Sequence, residues 1–287
     1  MGKILITGAT GTIGQQAVKA LRERGEAVRA AVRSPEKARA LGELGAELTR
    51  FDFLDAATYE AALAGVDRVL LVSPFVEDFV PAVQRFVTAA AAAGVRFILR
   101  LSALGADPSA PLAVGRKHGL ADQVLRDSGV PWAVIQPTFF MDNFFKFHAE
   151  TIRHQGAFYG ASGAQPVSYI SSRDIAEVAA EILRAPAKHA SQTYVLTGPE
   201  ALRDDDIAGR IAQQLGRAVS YVDVTPEQLS QGAQAQGSPA WLAEALAGLE
   251  NVKRQGWASA ISPAVQQLLG REGERFDAFL TRNQARF

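Results

Sequence analysis

From Lys3 to Gln136 short apolar runs alternate with segments of helical periodicity, and no other feature of the chain restricts its fold as much. The apolar runs are Lys3–Thr7, Ala27–Val32, Ala46–Phe51, Asp67–Val72, Arg96–Leu101 and Trp132–Gln136. Each is short and nearly continuous, which suits a strand buried on both faces. Between them lie helical patterns. In Gln15–Arg24, Val18 and Leu21 share one face and Lys19, Arg22 and Glu23 the other, and Gly25 stops the helix. Ser34-Pro35 looks like a cap followed by proline at the first helical position. Asp55–Ala64, Asp78–Gly94 and Leu112–Ser128 complete the set. Strand and helix in strict alternation predict right-handed βαβ units and an α/β fold of the Rossmann type, with a doubly wound parallel sheet.

After Pro137 the rhythm breaks. Phe139, Phe140, Met141, Asn143, Phe144 and Phe145 form a dense aromatic stretch. Gly156–Gly163 reads as loop, Asp174–Leu183 as helix, Gln192–Leu196 as strand, Asp204–Leu215 as helix, and the tail from Thr225 as mainly helical. The expected organisation is a nucleotide-binding domain over 1–150 and a smaller α/β substrate lobe over 151–287, interwoven with the first.

The loop Gly8-Ala9-Thr10-Gly11-Thr12-Ile13-Gly14 joins the first strand to its helix. Gly8 permits the tight turn, Gly11 lets the backbone approach a pyrophosphate, and Gly14 allows close helix–strand packing. The helix N-terminus adds free N–H groups and a positive dipole end. The spacing is GxxGxxG, and the alternative is a glycine-rich turn without a ligand. Position in a βαβ series favours a dinucleotide. An NAD-specific site calls for an acidic residue at the end of the second strand, to accept from the ribose 2′-OH. This chain has Arg33 there, with Lys37 one turn on. Arginine pairs with a 2′-phosphate and lies on adenine, so NADPH is the expected cofactor, with NADH possible but weaker. Asp52 and Phe53, after the third strand, lie where adenine is expected. Ser73 and Pro74, after the fourth, lie where the ribose and nicotinamide are expected.

Lys plus Arg (30) equals Asp plus Glu (30), so no net charge recruits nucleic acid or an anionic membrane. The chain has no cysteine, which excludes disulfides, thiolate catalysis and cysteine-ligated metals. His118, His148, His154 and His189 show no metal-ligand spacing, and no metal is expected. No apolar run approaches the roughly 20 residues needed to span a bilayer. A cytoplasmic protein, monomeric or homodimeric, is expected.

GATGTIG at the start, VRSPEK after the second strand and LSALGA after the fifth resemble the NmrA-like atypical short-chain dehydrogenases. So do QPTFFMDNF, YISSRDIAEVAAEIL and YVLTGPEAL further on. Within that group the chain is similar to bacterial NAD(P)H:quinone oxidoreductases, azoreductases and triphenylmethane reductases. Conventional short-chain dehydrogenases use Ser, Tyr and Lys, the last two as YxxxK. By resemblance Ser102 fits the serine, while Val114 and His118 hold the other two places. Without the tyrosine acid, carbonyl reduction lacks a proton donor. Quinones, azo dyes and triarylmethyl cations spread the incoming charge over rings, and chiefly need positioning against the nicotinamide.

His118 therefore stands as a catalytic candidate beside Ser102, with Lys117 as the competing group. Phe139, Phe140, Met141, Asn143 and Phe144 stand as the substrate wall, with Tyr169 a weaker candidate. Arg173 and Asp174 read as a helix cap and structural ion pair. The expected function is an NADPH-dependent reductase of a conjugated aromatic acceptor. The alternatives are a non-catalytic NADP(H) redox sensor that binds a protein partner, and an epimerase or reductase of a biosynthetic intermediate.

Overall fold

A computed structural model describes residues 2–287. Its elements run β1 (Lys3–Ile6), α1 (Thr12–Glu23), β2 (Val28–Val32), α2 (Arg39–Glu43), β3 (Glu47–Arg50), α3 (Tyr59–Leu63), β4 (Val66–Leu71), α4 (Phe79–Ala92), β5 (Phe97–Leu101), α5 (Ala113–Arg126) and β6 (Trp132–Pro137). Then come α6 (Asp142–Phe147), α7 (Ala149–Gln155), β7 (Ala157–Gly160), α8 (Ser172–Arg184), α9 (Pro186–His189), β8 (Gln192–Leu196), α10 (Asp204–Leu215), β9 (Ser220–Asp223), α11 (Pro226–Ala235), α12 (Ala240–Arg254), α13 (Ala264–Leu269) and α14 (Phe276–Asn283). Among the described residues no helix is long and apolar enough to cross a membrane.

The chain divides into two compact units, each discontinuous in sequence. The first takes Met1–Pro111, Gly115–Pro137 and Ser172–Val195. Its sheet is ordered β3-β2-β1-β4-β5-β6-β8, and every pairing from β3 through β6 is parallel. This is the doubly wound Rossmann sheet. Alternation along the strands sorts its two faces. Leu5, Val69, Leu71, Ile98 and Val134 pack beneath Tyr59 and Leu63 of α3, Phe79, Val83 and Phe86 of α4, and Ala121 and Leu125 of α5. Helix α8 packs along α1. It buries Ile175, Ala176, Val178, Ala179, Ile182 and Leu183, an apolar stripe that a lone helix could not hide. That stripe is why 172–195 belongs to the first unit and not to a lobe that starts near 150.

The second unit takes Leu112–Val114, Thr138–Ser171 and Leu196–Phe287. It holds the two-stranded parallel pair β7–β9 and helices α6, α7 and α10–α14. Its core is aromatic. Phe144 meets Phe158, Tyr169 and Phe276 edge to face at ring separations of 5.4, 5.1 and 5.4 Å, and Phe145 stacks on Phe279 at 5.8 Å.

Candidate active site

The strand order reverses between β1 and β4, where an open parallel sheet offers a crevice beyond its carboxyl ends. One side chain ties that point together. Thr7 Oγ1 donates to the Val72 carbonyl at 2.9 Å and accepts from the Val72 N–H at 2.8 Å. Gly8 follows with φ of 60°, in the left-handed region that favours glycine. A Cβ there would lie 3.0 Å from Val72 Cγ1, and one on Gly14 would lie 2.2 Å from the Gly8 carbonyl oxygen. The loop is therefore folded flat against β4 and against the start of α1. Gly11 is the N-cap of α1 and makes no side-chain cap, so the first turn presents bare N–H groups.

A cavity of about 880 Å³ opens at this point, wholly within the first unit. Of the sequence-predicted residues it is lined by Gly8, Thr10, Gly11, Arg33, Lys37, Asp52, Phe53, Ser73 and Pro74. Thr12, Ile13 and Gly14 are not in its wall; Ile13 and Gly14 are buried in helix packing. Ala31, Val32, Ser34, Phe51, Leu54, Val72 and Val76 complete the wall without having been predicted. The Arg33 and Lys37 side chains are exposed and make no hydrogen bond or ion pair among the described residues. Residues 35–37 form a 3-10 turn, and Ser34 makes no side-chain cap. Phe53 is held by stacking on Phe86 at 5.5 Å, and its carbonyl accepts from Tyr59 Oη at 2.6 Å. The residues fit a dinucleotide: a glycine cradle that a Cβ would fill, a free helix N-terminus for pyrophosphate, and two unpaired cations at the end of β2.

Helix α5 supplies the second group. His118 and Asp122 stand one turn apart on the same face. Arg100, Ser102 and Gln136 share the facing side of their strands. Arg100 and Asp122, both fully buried, form an ion pair through Nη1 and Oδ1. Asp122 Oδ2 accepts from Ser102 Oγ at 2.9 Å and from Gln136 Nε2 at 3.4 Å. Arg100 Nη2 lies 3.4 Å from His118 Nδ1. The imidazole packs between Phe79, at 4.9 Å, and Phe75, near parallel at 6.2 Å. Burial first, and then the Arg100 charge, hold the His118 pKa down at about 3. The ring is thus neutral at physiological pH. Ser102 gives its hydroxyl hydrogen to Asp122, so it can act only as an acceptor. Lys117 is tied to the Glu77 carbonyl at 3.2 Å. Val114, at the tyrosine position of YxxxK, is buried.

The aromatic segment splits. Met141 and Phe144 are 1% and 3% exposed, so they are core of the second unit and not a substrate wall. The cause is helical spacing, which turns Met141, Phe144 and Phe145 inward together. Phe139, Phe140 and Asn143 stay partly exposed, and Lys253 Nζ sits 4.9 Å over the Phe139 ring. Tyr169, buried, donates to Asp204 at 2.7 Å and belongs to the core. Arg173 pairs with Glu177 one turn on, at 3.0 Å, and not with Asp174. The buried Arg100–Asp122–Gln136 set went unpredicted; its one trace in the sequence is an arginine inside the apolar run of β5.

His148 in the second unit is also held low, at about 4, by burial and then by Lys253. The ordinary histidine value lies near 6.5. As pH falls from 6.5 toward 4, the unfolded chain binds two protons that the folded chain refuses. Stability should therefore fall with acidification, at roughly 1.4 kcal/mol per pH unit for each ring. Urea midpoints at pH 7, 6 and 5 check this. His118→Gln should remove its share of the slope, and an unchanged slope would mean that the ring titrates normally.

The chain is similar to known proteins along nearly its whole length. The model of the NmrA-like family matches residues 1–269. The chain is 37% identical over 284 residues to an NAD(P)H azoreductase of Xenophilus azovorans, covering 99% of each chain. It is 31% identical over 270 residues to quinone oxidoreductase 2 of Escherichia coli strain K12, covering 93% of each. Among solved structures, the Escherichia coli NADPH-dependent quinone oxidoreductase complexed with NADPH superposes with a TM-score of 0.86 at 29% identity. That match covers 97% of this chain and 99% of the other.

Proposed function

The chain belongs to the NmrA-like family, and from that premise we propose that it is an NADPH-dependent reductase delivering hydride to a conjugated aromatic acceptor of the quinone, azo or triphenylmethane type. The observation that carries this reading is a cavity built for a dinucleotide with two unpaired cations at the end of β2, in a chain whose YxxxK positions hold Val114 and His118. The relatives support it: an azoreductase and a quinone oxidoreductase that the chain matches along nearly their whole length. The reaction is assigned to the cytoplasm.

Bound NADPH would supply the hydride. Gly8, Thr10 and Gly11, with the first turn of α1, would hold its pyrophosphate through backbone N–H groups and the helix dipole. Arg33 and Lys37 would take the 2′-phosphate, Asp52 and Phe53 would border the adenine, and Ser73 and Pro74 would border the nicotinamide ribose. The neutral His118 ring donates a hydrogen bond to cofactor or acceptor and orients it. In the second unit, Phe139, Phe140 and Asn143 are assigned to the acceptor, and Met141 and Phe144 are left to packing. Hydride added to a quinone leaves a hydroquinone monoanion, its charge delocalised over the ring, and solvent supplies the proton. No buried acid is needed, which is consistent with a histidine that stays neutral.

The test is steady-state oxidation of NADPH by the purified protein, with and without a simple quinone, an azo dye and a triphenylmethane dye. Acceptor-dependent turnover, faster with NADPH than with NADH, is expected. NADPH binding with no turnover on all three classes would replace the reductase by a redox sensor. Arg33→Ala should raise KM for NADPH about tenfold to a hundredfold, since a charge-assisted bond contributes about 1.5–3 kcal/mol, and leave KM for NADH nearly unchanged. Equal effects on both would remove Arg33 from the 2′-phosphate site.

A further inference from the structure

An arginine inside β5 is costly. Burying a guanidinium carries a desolvation penalty that its ion pair must repay, and well-packed apolar residues of similar size often serve stability as well or better. The neighbouring strands place Val69, Leu71 and Val134 on the same face, so the sheet itself makes no demand for charge there. What the arginine does is legible in its partners. Asp122 is gripped from three sides, by Arg100, by Ser102 Oγ at 2.9 Å and by Gln136 Nε2 at 3.4 Å. The guanidinium standing on that carboxylate lies 5.7 Å from the Phe79 ring and turns Nη2 toward His118 Nδ1 at 3.4 Å.

We propose that Arg100 is a positioning residue of the hydride-transfer site, fixing His118 as the Nε2–H tautomer so that Nε2 is the ring's one free donor. This rests on the reading of His118 as the group that meets cofactor or acceptor. Arginine has five N–H donors and no acceptor. The nitrogen facing it must therefore be the bare, accepting one, and the ring hydrogen must sit on Nε2. The charged groups around the ring are few. Arg100 faces it from β5, and Asp122, one turn along α5, is spent on Arg100, Ser102 and Gln136. Lys117 beside it donates to the Glu77 carbonyl, and Glu77 and Asp78 lie in the segment before α4. From α4 itself the contact is the Phe79 ring. The nearest charge is thus a fixed cation, which opposes an imidazolium, in agreement with the value of about 3.

Imidazole ¹⁵N NMR on the full-length protein, with and without NADPH, from pH 5 to 8, reads the tautomer directly. His118→Gln assigns the signal. A bare Nδ1 and a protonated Nε2, unchanged across that range, are expected. In Arg100→Lys, which keeps the cation but cannot bridge Asp122 and His118 together, the ring should become a tautomer mixture and begin to titrate. Its kcat with the acceptor should fall about tenfold, while KM for NADPH stays within about twofold. An Nδ1–H ring, an imidazolium at pH 6, or a wild-type ring signature in Arg100→Lys would overturn the proposal. Because the wild-type spectrum is decisive by itself, a variant that fails to fold does not rescue the idea. Absence of acceptor-dependent turnover in the wild type would defeat the reductase reading separately, and the spectrum would still decide on Arg100.

Discussion

Gly14→Ala is expected to weaken NADPH binding by more than about a hundredfold, equivalent to about 2.7 kcal/mol, and to lower the melting temperature of the ligand-free protein as well. The added Cβ would stand 2.2 Å from the Gly8 carbonyl oxygen, 2.7 Å from Ala9 Cα and 2.9 Å from the Ala9 carbonyl carbon. All three are backbone atoms, so no side chain can swing aside. The loop must lift off α1, and forcing extra volume into such packing costs about 1–3 kcal/mol. The lifted loop also loses the geometry that aims its N–H groups at a pyrophosphate. Gly11→Ala makes the contrast. Its Cβ would meet only the Gly8 carbonyl oxygen, at 3.1 Å, and φ of −76° suits any residue. That variant should melt close to wild type while still binding NADPH poorly, because Gly11 lines the cavity. Fluorescence titration with NADPH and thermal melts separate the two. Wild-type affinity in Gly14→Ala would show that the loop is not the phosphate cradle.

Asp122→Ala should cost about 3–5 kcal/mol of stability, the range for removing one partner of a buried ion pair. At about 2–4 °C per kcal/mol this lowers the melting temperature by roughly 6–20 °C. The loss comes from what remains behind. Arg100 is fully buried and its Nε already lacks a partner, so the alanine leaves a guanidinium with no counter-charge. Arg100→Leu combined with Asp122→Leu removes both charges and should recover most of the stability, though not the ring geometry of His118. Denaturant unfolding of the two single variants and the double variant measures the coupling. A loss below about 1 kcal/mol in Asp122→Ala would mean that water reaches the pair in solution.

Much of the first unit is written in local pattern. Its strands are continuous apolar runs and its loops carry glycine where backbone demands it, so element type and the cofactor crevice follow from residue order. Most of the residues that line the crevice sit at or just beyond the ends of β1, β2, β3 and β4, where position identifies them, while Ser34, Leu54 and Val76 escaped that reading. What failed to show was decided by packing at long range. Ser172–Arg184 has the same amphipathic signature as any surface helix; only the presence of α1 says which sheet it covers. In the aromatic segment one spacing serves both a pocket and a core, and the partners Phe158, Tyr169 and Phe276 that claim Phe144 lie up to 132 residues downstream. Arg100 and Asp122 are ordinary letters until β5 and α5 are laid face to face.

The chain passes between the two units at 111/112, 114/115, 137/138, 171/172 and 195/196. A module joined by one hinge can be cut out, swapped or duplicated by a single recombination event. Here no such cut exists, since each unit is completed by segments that the other interrupts. A foreign second unit cannot be grafted onto the first in one step. Change in either unit has to arise by point substitution, under the constraint that both still fold from one uninterrupted thread.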